Sequence, residues 1–163
     1  MDTDTLFREL KPDVELLAHP LFQASSDFVK ARGAFLPHGA VLTAGDEVRL
    51  VMAVPPGEDR PVSTVEILPL LHEALRQAAA TEQLRAVAVC EDVRISHAGR
   101  TQTPAIKVLL EHRRGLCVAL YMPFHKRRFL GYRFDEMFVL PANPEVRPWS
   151  SLHPGSGAGV GET

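Results

Sequence analysis

The fold is decided by residues 84–124, which run LRAVAVCEDVRISHAGRTQTPAIKVLLEHRRGLCVALYMPF. Three long strands are predicted here: Leu84–Ile95, Ala105–Arg113 and Leu116–Phe124. A loose link over residues 96–104 joins the first two, and a tight Arg114-Gly115 turn joins the second pair. In each strand, the odd-numbered and the even-numbered residues are both largely apolar. A strand in a sheet with one face in water alternates apolar and polar residues instead. Both sheet faces are therefore expected to be covered, by helices or by a partner.

Two helices and a hairpin precede these strands. An apolar stripe predicts a helix over Asp13–Arg32, with a kink or a break at Pro20. A hairpin follows, with strands over Ala34–Thr43 and Glu47–Val54 and a glycine in its turn. Ser63 and Glu66 fit a capping box at the start of a second helix, Ser63–Thr81.

A last strand is predicted over Tyr132–Leu140, so the element order is α-β-β-α-β-β-β(-β). Such an order predicts an α+β fold, a mainly antiparallel sheet of five to six strands with helices packed on it. We expect a single domain over residues 13–150, a flexible leader at 1–12 and a disordered glycine-rich tail at 151–163.

Composition favours a protein that stays in the cytoplasm. The net charge of the 163-residue chain is −2, so nucleic acid is an unlikely partner, because duplex binders carry a basic excess. No apolar run is long enough to span a bilayer, and residues 1–13 lack the basic start and apolar core of a signal peptide, so no membrane partner is expected. Cys90 and Cys117 lie in apolar strands and are expected to be buried, reduced thiols.

The segment FLPHGAVL (residues 35–42), followed by GDEVR (residues 45–49), resembles the F-x-P-F-G-A-x-L…G-E-V-R pattern of a family of small uncharacterised bacterial proteins. Residues 20–140 fit the outline of that family, although His38 stands where the family has an aromatic residue. In element order alone, the chain is similar to the profilin-like and roadblock/longin folds. The resemblance implies no activity and no site residues.

No catalytic constellation appears in the sequence, and we expect no cofactor. The seven histidines form no pair at metal-ligand spacing, so no metal site is predicted. The chain contains no nucleophile elbow, and its glycine-rich tail lacks the lysine of a phosphate-binding loop. Whether the protein is an enzyme stays open, with the pattern leaning against it.

The strongest candidate site is the basic loop formed by His125, Lys126, Arg127 and Arg128 between two phenylalanines. Cations beside aromatic rings suit phosphates, exposed bases or a protein partner. The favoured function is nevertheless a non-enzymatic protein–protein interaction module, with a second copy of the chain as one candidate partner. The main alternative is an enzyme or a small-ligand binder with a pocket near His38, His125 and Tyr132. A weaker alternative is nucleic-acid or anion binding through the 125–128 loop.

Overall fold

The structure is a computed structural model that describes residues 2–55 and 62–149. Within these residues, two helices and seven strands follow the chain in this order: α1 (Thr3–Arg32), β1 (His38–Thr43), β2 (Val48–Val51), α2 (Thr64–Thr81), β3 (Leu84–His97), β4 (Arg100–His112), β5 (Cys117–Lys126), β6 (Tyr132–Phe134) and β7 (Phe138–Pro141). The predicted α+β class is confirmed, with seven strands rather than five to six. The tail over residues 151–163 lies outside the described residues.

All seven strands belong to one sheet in the order β2-β1-β3-β4-β5-β6, and β7 pairs with β5 beside β6. Every pairing is antiparallel, with registers such as Val41↔Val87 and Val89↔Leu109. The strands β2 and β6 therefore lie at opposite edges of the sheet. No helix among the described residues is long and apolar enough to cross a membrane.

Each face of the sheet carries one helix, which explains the apolar residues at both parities. Alternate side chains of the strands, including Ala88 and Val108, pack with the α1 stripe around Leu17 and Leu21. The intervening side chains pack under α2, together with a segment that follows β7. Burying one leucine or valine side chain contributes about 1.5–3 kcal/mol, so both cores hold their helices firmly.

The helix α1 begins at Thr3 rather than at Asp13, so the predicted flexible leader is helical from Thr3 to Pro12. The Asp2 carboxylate accepts the Thr5 N–H at 2.7 Å and caps the helix. Leu10 is buried and continues the apolar stripe toward the amino terminus. The helix also runs on through Pro20, because burial of this stripe offsets the missing backbone hydrogen bond.

Two predicted connections differ in the structure. The link over residues 96–104 is a two-residue hairpin turn, because Ala98 and Gly99 both adopt positive φ, as a type I′ turn requires. The predicted strand Tyr132–Leu140 is split into β6 and β7. Pro123 of β5 accepts from the Asp135 N–H but has no N–H to give in return, so the ladder breaks there.

Candidate functional site

His38, a predicted pocket residue, is buried beneath α1. Its Nδ1 lies 3.0 Å from the Leu36 carbonyl oxygen, which can only accept, so Nδ1 carries the proton. Its Nε2 then accepts from the Ser25 hydroxyl at 3.2 Å, and Ser25 Oγ in turn lies 2.9 Å from Cys90 Sγ. Burial lowers the pKa of His38. The three side chains therefore form a neutral, closed hydrogen-bond chain.

The hydrogen-bonded trio of Ser25, His38 and Cys90 is structural rather than catalytic, although these residue types also occur in active sites. Burial raises the pKa of the Cys90 thiol to about 12, despite the hydrogen bond with Ser25. A nucleophilic cysteine needs the opposite shift and access to substrate. The sequence shows Ser25, His38 and Cys90 as unrelated positions, because 13 and 65 residues separate Ser25 from its two partners.

The predicted pocket near His38, His125 and Tyr132 is not formed. His125 lies on the sheet face opposite His38, where its Nε2 contacts Asp135 Oδ2 at 2.7 Å. This hydrogen bond lowers the pKa of Asp135. Tyr132 packs on the α1 side against Phe124, with ring centres 6.0 Å apart. Successive strand residues face opposite ways, which separates His125 from the residues on either side of it.

The basic loop is divided between two roles. His125 is paired with Asp135, whereas Lys126, Arg127 and Arg128 are exposed and form no ion pair within the described residues. The hairpin between β5 and β6 is closed by the Arg127 N–H, which donates to the Gly131 carbonyl at 2.6 Å. Phe129 and Leu130 project from its turn, 85% and 75% exposed.

A polar cluster at the opposite end of the sheet joins four elements. The Asp13 carboxylate accepts two hydrogen bonds from Arg85, at 2.6 and 3.2 Å, and one from His112 Nε2 at 2.8 Å. Arg85 also pairs with Asp46 in the β1–β2 turn. Burial alone would raise the pKa of Asp13, but Arg85 and His112 lower it. Because 72 and 99 residues separate these partners of Asp13, no local pattern predicts the cluster, which fastens α1 to the sheet.

A buried carboxylate, that of Glu111, anchors the segment after β7, here called the arm (residues 142–149). Glu111 accepts the backbone N–H groups of Glu145, Val146 and Arg147 at 2.8–3.0 Å. The Arg76 guanidinium donates to the Val146 carbonyl at 2.8 Å. Val146 and Trp149 are thereby held in the core under α2. Glu111 therefore anchors the arm at one wall of an open cavity of about 500 Å³.

An open groove of about 690 Å³ lies beside α1. Its walls are mostly apolar and include Phe7, Leu16, Phe22, Leu120 and Met137. The polar residues at its rim lie in a row along the exposed side of α1, where Lys11 and Glu15 pair with each other at 3.9 Å: Lys11, Glu15 and His19. An enzyme or a small-ligand site orients its substrate with converging polar groups, and this groove lacks them.

An exposed apolar strip lies at the β2 edge of the sheet. It comprises Leu36, Leu50, Met52 and Val54, which are 46%, 52%, 68% and 83% exposed. The outer side of β2 pairs with no other strand among residues 2–55 and 62–149. Natural edge strands are protected by charges, prolines or bulges, and an unprotected apolar edge is ready to pair with another chain. The strip is therefore the clearest surface for a protein contact.

Both thiols are expected to react slowly. Both cysteines are free: Cys90 is buried as predicted, whereas Cys117 is only partly buried, and desolvation raises the pKa of each to about 12. They face opposite sides of the sheet, so they cannot bridge within one chain. Maleimide labelling of the native protein should be at least about tenfold slower than that of the unfolded chain, with Cys90 the slower site. Rapid labelling of Cys90 without denaturant would show that its strand opens.

Known proteins supply no family for this geometry. No family model matches the chain, and no match was found among curated proteins or solved structures. Within the described residues, no group of three or more histidine, cysteine, aspartate or glutamate side chains could hold a metal ion. The exposed surfaces of the molecule are therefore the remaining indication of its function.

Proposed function

We propose that the protein is a cytoplasmic protein–protein interaction module that pairs with a second copy of itself through the free edge of β2. The observation that carries this proposal is the exposed apolar strip along that edge. The central strands β3, β4 and β5 need no partner, because a helix covers each of their faces. Self-association is therefore assigned to the edge and not to a face.

The backbone of β2 is oriented for such pairing. In the β1–β2 hairpin, the Thr43 N–H donates to the Glu47 carbonyl, and the cross-strand pairs continue through Val41↔Arg49 and Gly39↔Val51. Hydrogen-bonded and non-hydrogen-bonded pairs alternate along an antiparallel ladder. The N–H and C=O groups of Val48 and Leu50 therefore point away from β1, where a further strand can receive them.

The sequence of β2 is complementary to itself about Leu50. In an antiparallel pair centred there, Leu50 meets Leu50 of the copy, and Val48 meets Met52. The one cation of the strand, Arg49, is neutralised by Glu82 of its own chain at 2.9 Å. No like charges face each other directly, because Arg49 lies opposite Val51. In a two-fold symmetric dimer, the same surface of each copy forms the interface, and such dimers are the commonest oligomers.

Cysteine cross-linking tests both the interface and its register. In a hydrogen-bonded antiparallel pair the Cα atoms lie about 5.5 Å apart, within the range that a disulfide spans. Leu50→Cys should therefore form a covalent dimer on mild oxidation. Met52→Cys is the matched control: Met52 is more exposed than Leu50, but in this register it does not face its own copy.

The comparison of Leu50→Cys with Met52→Cys shows whether a cross-link reflects the proposed pairing or random collision. Rapid dimerisation of Leu50→Cys with slow dimerisation of Met52→Cys supports the proposed pairing. Equal rates for the two variants would reflect random collision and contradict it. The native thiols do not interfere, because both have raised pKa values and are less accessible.

A further inference from the structure

A second surface lies at the opposite edge of the sheet and is independent of the β2 edge. It is the hairpin turn between β5 and β6, here called the basic tip (residues 126–130). Three exposed cations, Lys126, Arg127 and Arg128, surround two apolar side chains that contact little else. The only ring contact of Phe129 in the described structure is with the Arg128 guanidinium, 5.5 Å from the ring centre.

The basic tip belongs to a wider basic end of the molecule. The β3–β4 turn and the β5–β6 turn lie at the same end of the sheet, because Ile95 pairs with Thr103 and Ala105 with Pro123. The last turn of α1 is there too, since Lys30 lies 5.7 Å from the ring centre of Phe134. Six cations at this end form no ion pair among the described residues: Lys30, Arg32, Arg100, Lys126, Arg127 and Arg128.

Two carboxylates at this end are already paired with basic groups. Asp135 is held by His125 and Arg133, and Asp92 pairs with Arg94 at 2.9 Å. Asp27, Glu91 and Glu136 are the remaining acidic groups on the neighbouring elements. The opposite end carries both signs of charge: Glu9 and Asp46 are ion-paired there with Arg114 and Arg85. The unpaired cations are therefore concentrated at the end that holds the basic tip.

We propose that the basic tip is a peripheral contact site for an anionic lipid bilayer, with Phe129 and Leu130 entering the interface and the cations binding lipid phosphates. A charged collar around apolar side chains matches such a surface, which is anionic outside and apolar beneath. This contact needs no spanning helix. It departs from the sequence-based expectation of no membrane partner, which rested on the absence of a spanning segment and a signal peptide.

The shape of the basic tip favours a bilayer over nucleic acid. Single-stranded nucleic acid binds in a basic groove, where aromatic rings stack on successive bases. The basic tip is a projecting turn rather than a groove. One of its two apolar side chains is Leu130, which has no π face to stack on a base, yet it is 75% exposed. An aliphatic side chain there suits hydrocarbon.

Vesicle co-sedimentation of the full chain tests the proposal. We expect binding to vesicles of phosphatidylcholine mixed with phosphatidylserine, little binding to pure phosphatidylcholine, and weakening by salt. One cation near an anionic bilayer changes the affinity about fivefold, so Arg127→Gln/Arg128→Gln should weaken binding roughly twentyfold. Phe129→Ser/Leu130→Ser should weaken it at least about tenfold without changing the net charge.

The matched control is Arg113→Gln/Arg114→Gln, which removes the same charge at the other end of β5, about 30 Å away. It should leave binding within about twofold of the wild type, because salt screens charges at that distance. No binding to mixed vesicles would overturn the proposal, as would equal loss in the control. Binding of a single-stranded oligonucleotide that depends on Phe129, without vesicle binding, would overturn it in favour of nucleic acid.

Discussion

Glu111→Ala should release the arm and lower the free energy of unfolding by at least about 3 kcal/mol, because three backbone N–H groups lose a charged acceptor. For a chain of this length, that loss corresponds to a fall in Tm of roughly 6–12 °C. Trp149 is the only tryptophan and is the part of the arm that is buried under α2, so its fluorescence should shift to the red when the arm is released. Thermal melting and tryptophan emission measure the two effects separately.

The matched control for Glu111 lies in the arm itself. Glu145 is half exposed, and its carboxylate only pairs with Lys107 at 3.8 Å. Such a pair contributes about 0–1 kcal/mol, so Glu145→Ala should leave Tm and emission nearly unchanged. Wild-type Tm and emission in Glu111→Ala would mean that Val146 and Trp149 hold the arm by apolar contact alone.

Gly39→Ala should destabilise the protein by about 2–3 kcal/mol, because the sheet has no room for a methyl group at this position. A Cβ atom on Gly39 would lie 2.7 Å from the Ala88 carbonyl oxygen and 3.4 Å from a methyl of Leu71. The first of these is backbone in the neighbouring strand β3, so it cannot turn away. Urea denaturation of the variant measures the loss.

Gly45→Ala is the control for Gly39, since both glycines belong to the same hairpin, Gly39 in β1 and Gly45 in the turn. The nearest atom to a Cβ on Gly45 is Thr43 Oγ1 at 4.0 Å, an ordinary contact. We expect a change within about 0.5 kcal/mol there. If the two variants were equally stable, β1 and β3 would have to separate easily at Gly39.

The coverage of the sheet could be predicted from the sequence because it depends on periodicity. Apolar residues at both parities of β3, β4 and β5 required two covered faces, and α1 and α2 supply them. The start of α1 was missed because Pro12 and the acidic residues before it resemble a loop. The signal that could have found it is Asp2, an N-cap residue three positions before the Thr5 N–H that it caps.

The sites could be predicted only in part, because their partners lie far apart in the chain. The basic loop is contiguous, so the sequence shows it, but only the structure separates His125 from the three exposed cations. The bonds of Glu111 to the arm cross 34–36 residues, and no local pattern reports them. The alternation of Val48, Leu50 and Met52 predicts that β2 has an apolar face. The sequence does not show that this face is exposed, because its exposure depends on whether α1 extends over β2.

The central claim, self-association through the β2 edge, is tested most directly by sedimentation velocity of the wild-type chain and of Leu50→Lys at micromolar concentration. Lysine at the centre of the edge strand would bring two like charges together across the two-fold axis, which disfavours pairing. We predict that the wild type sediments as a dimer of 18.0 kDa subunits and that the variant sediments as a folded monomer. A wild-type chain that sediments as an 18.0 kDa monomer would contradict the account.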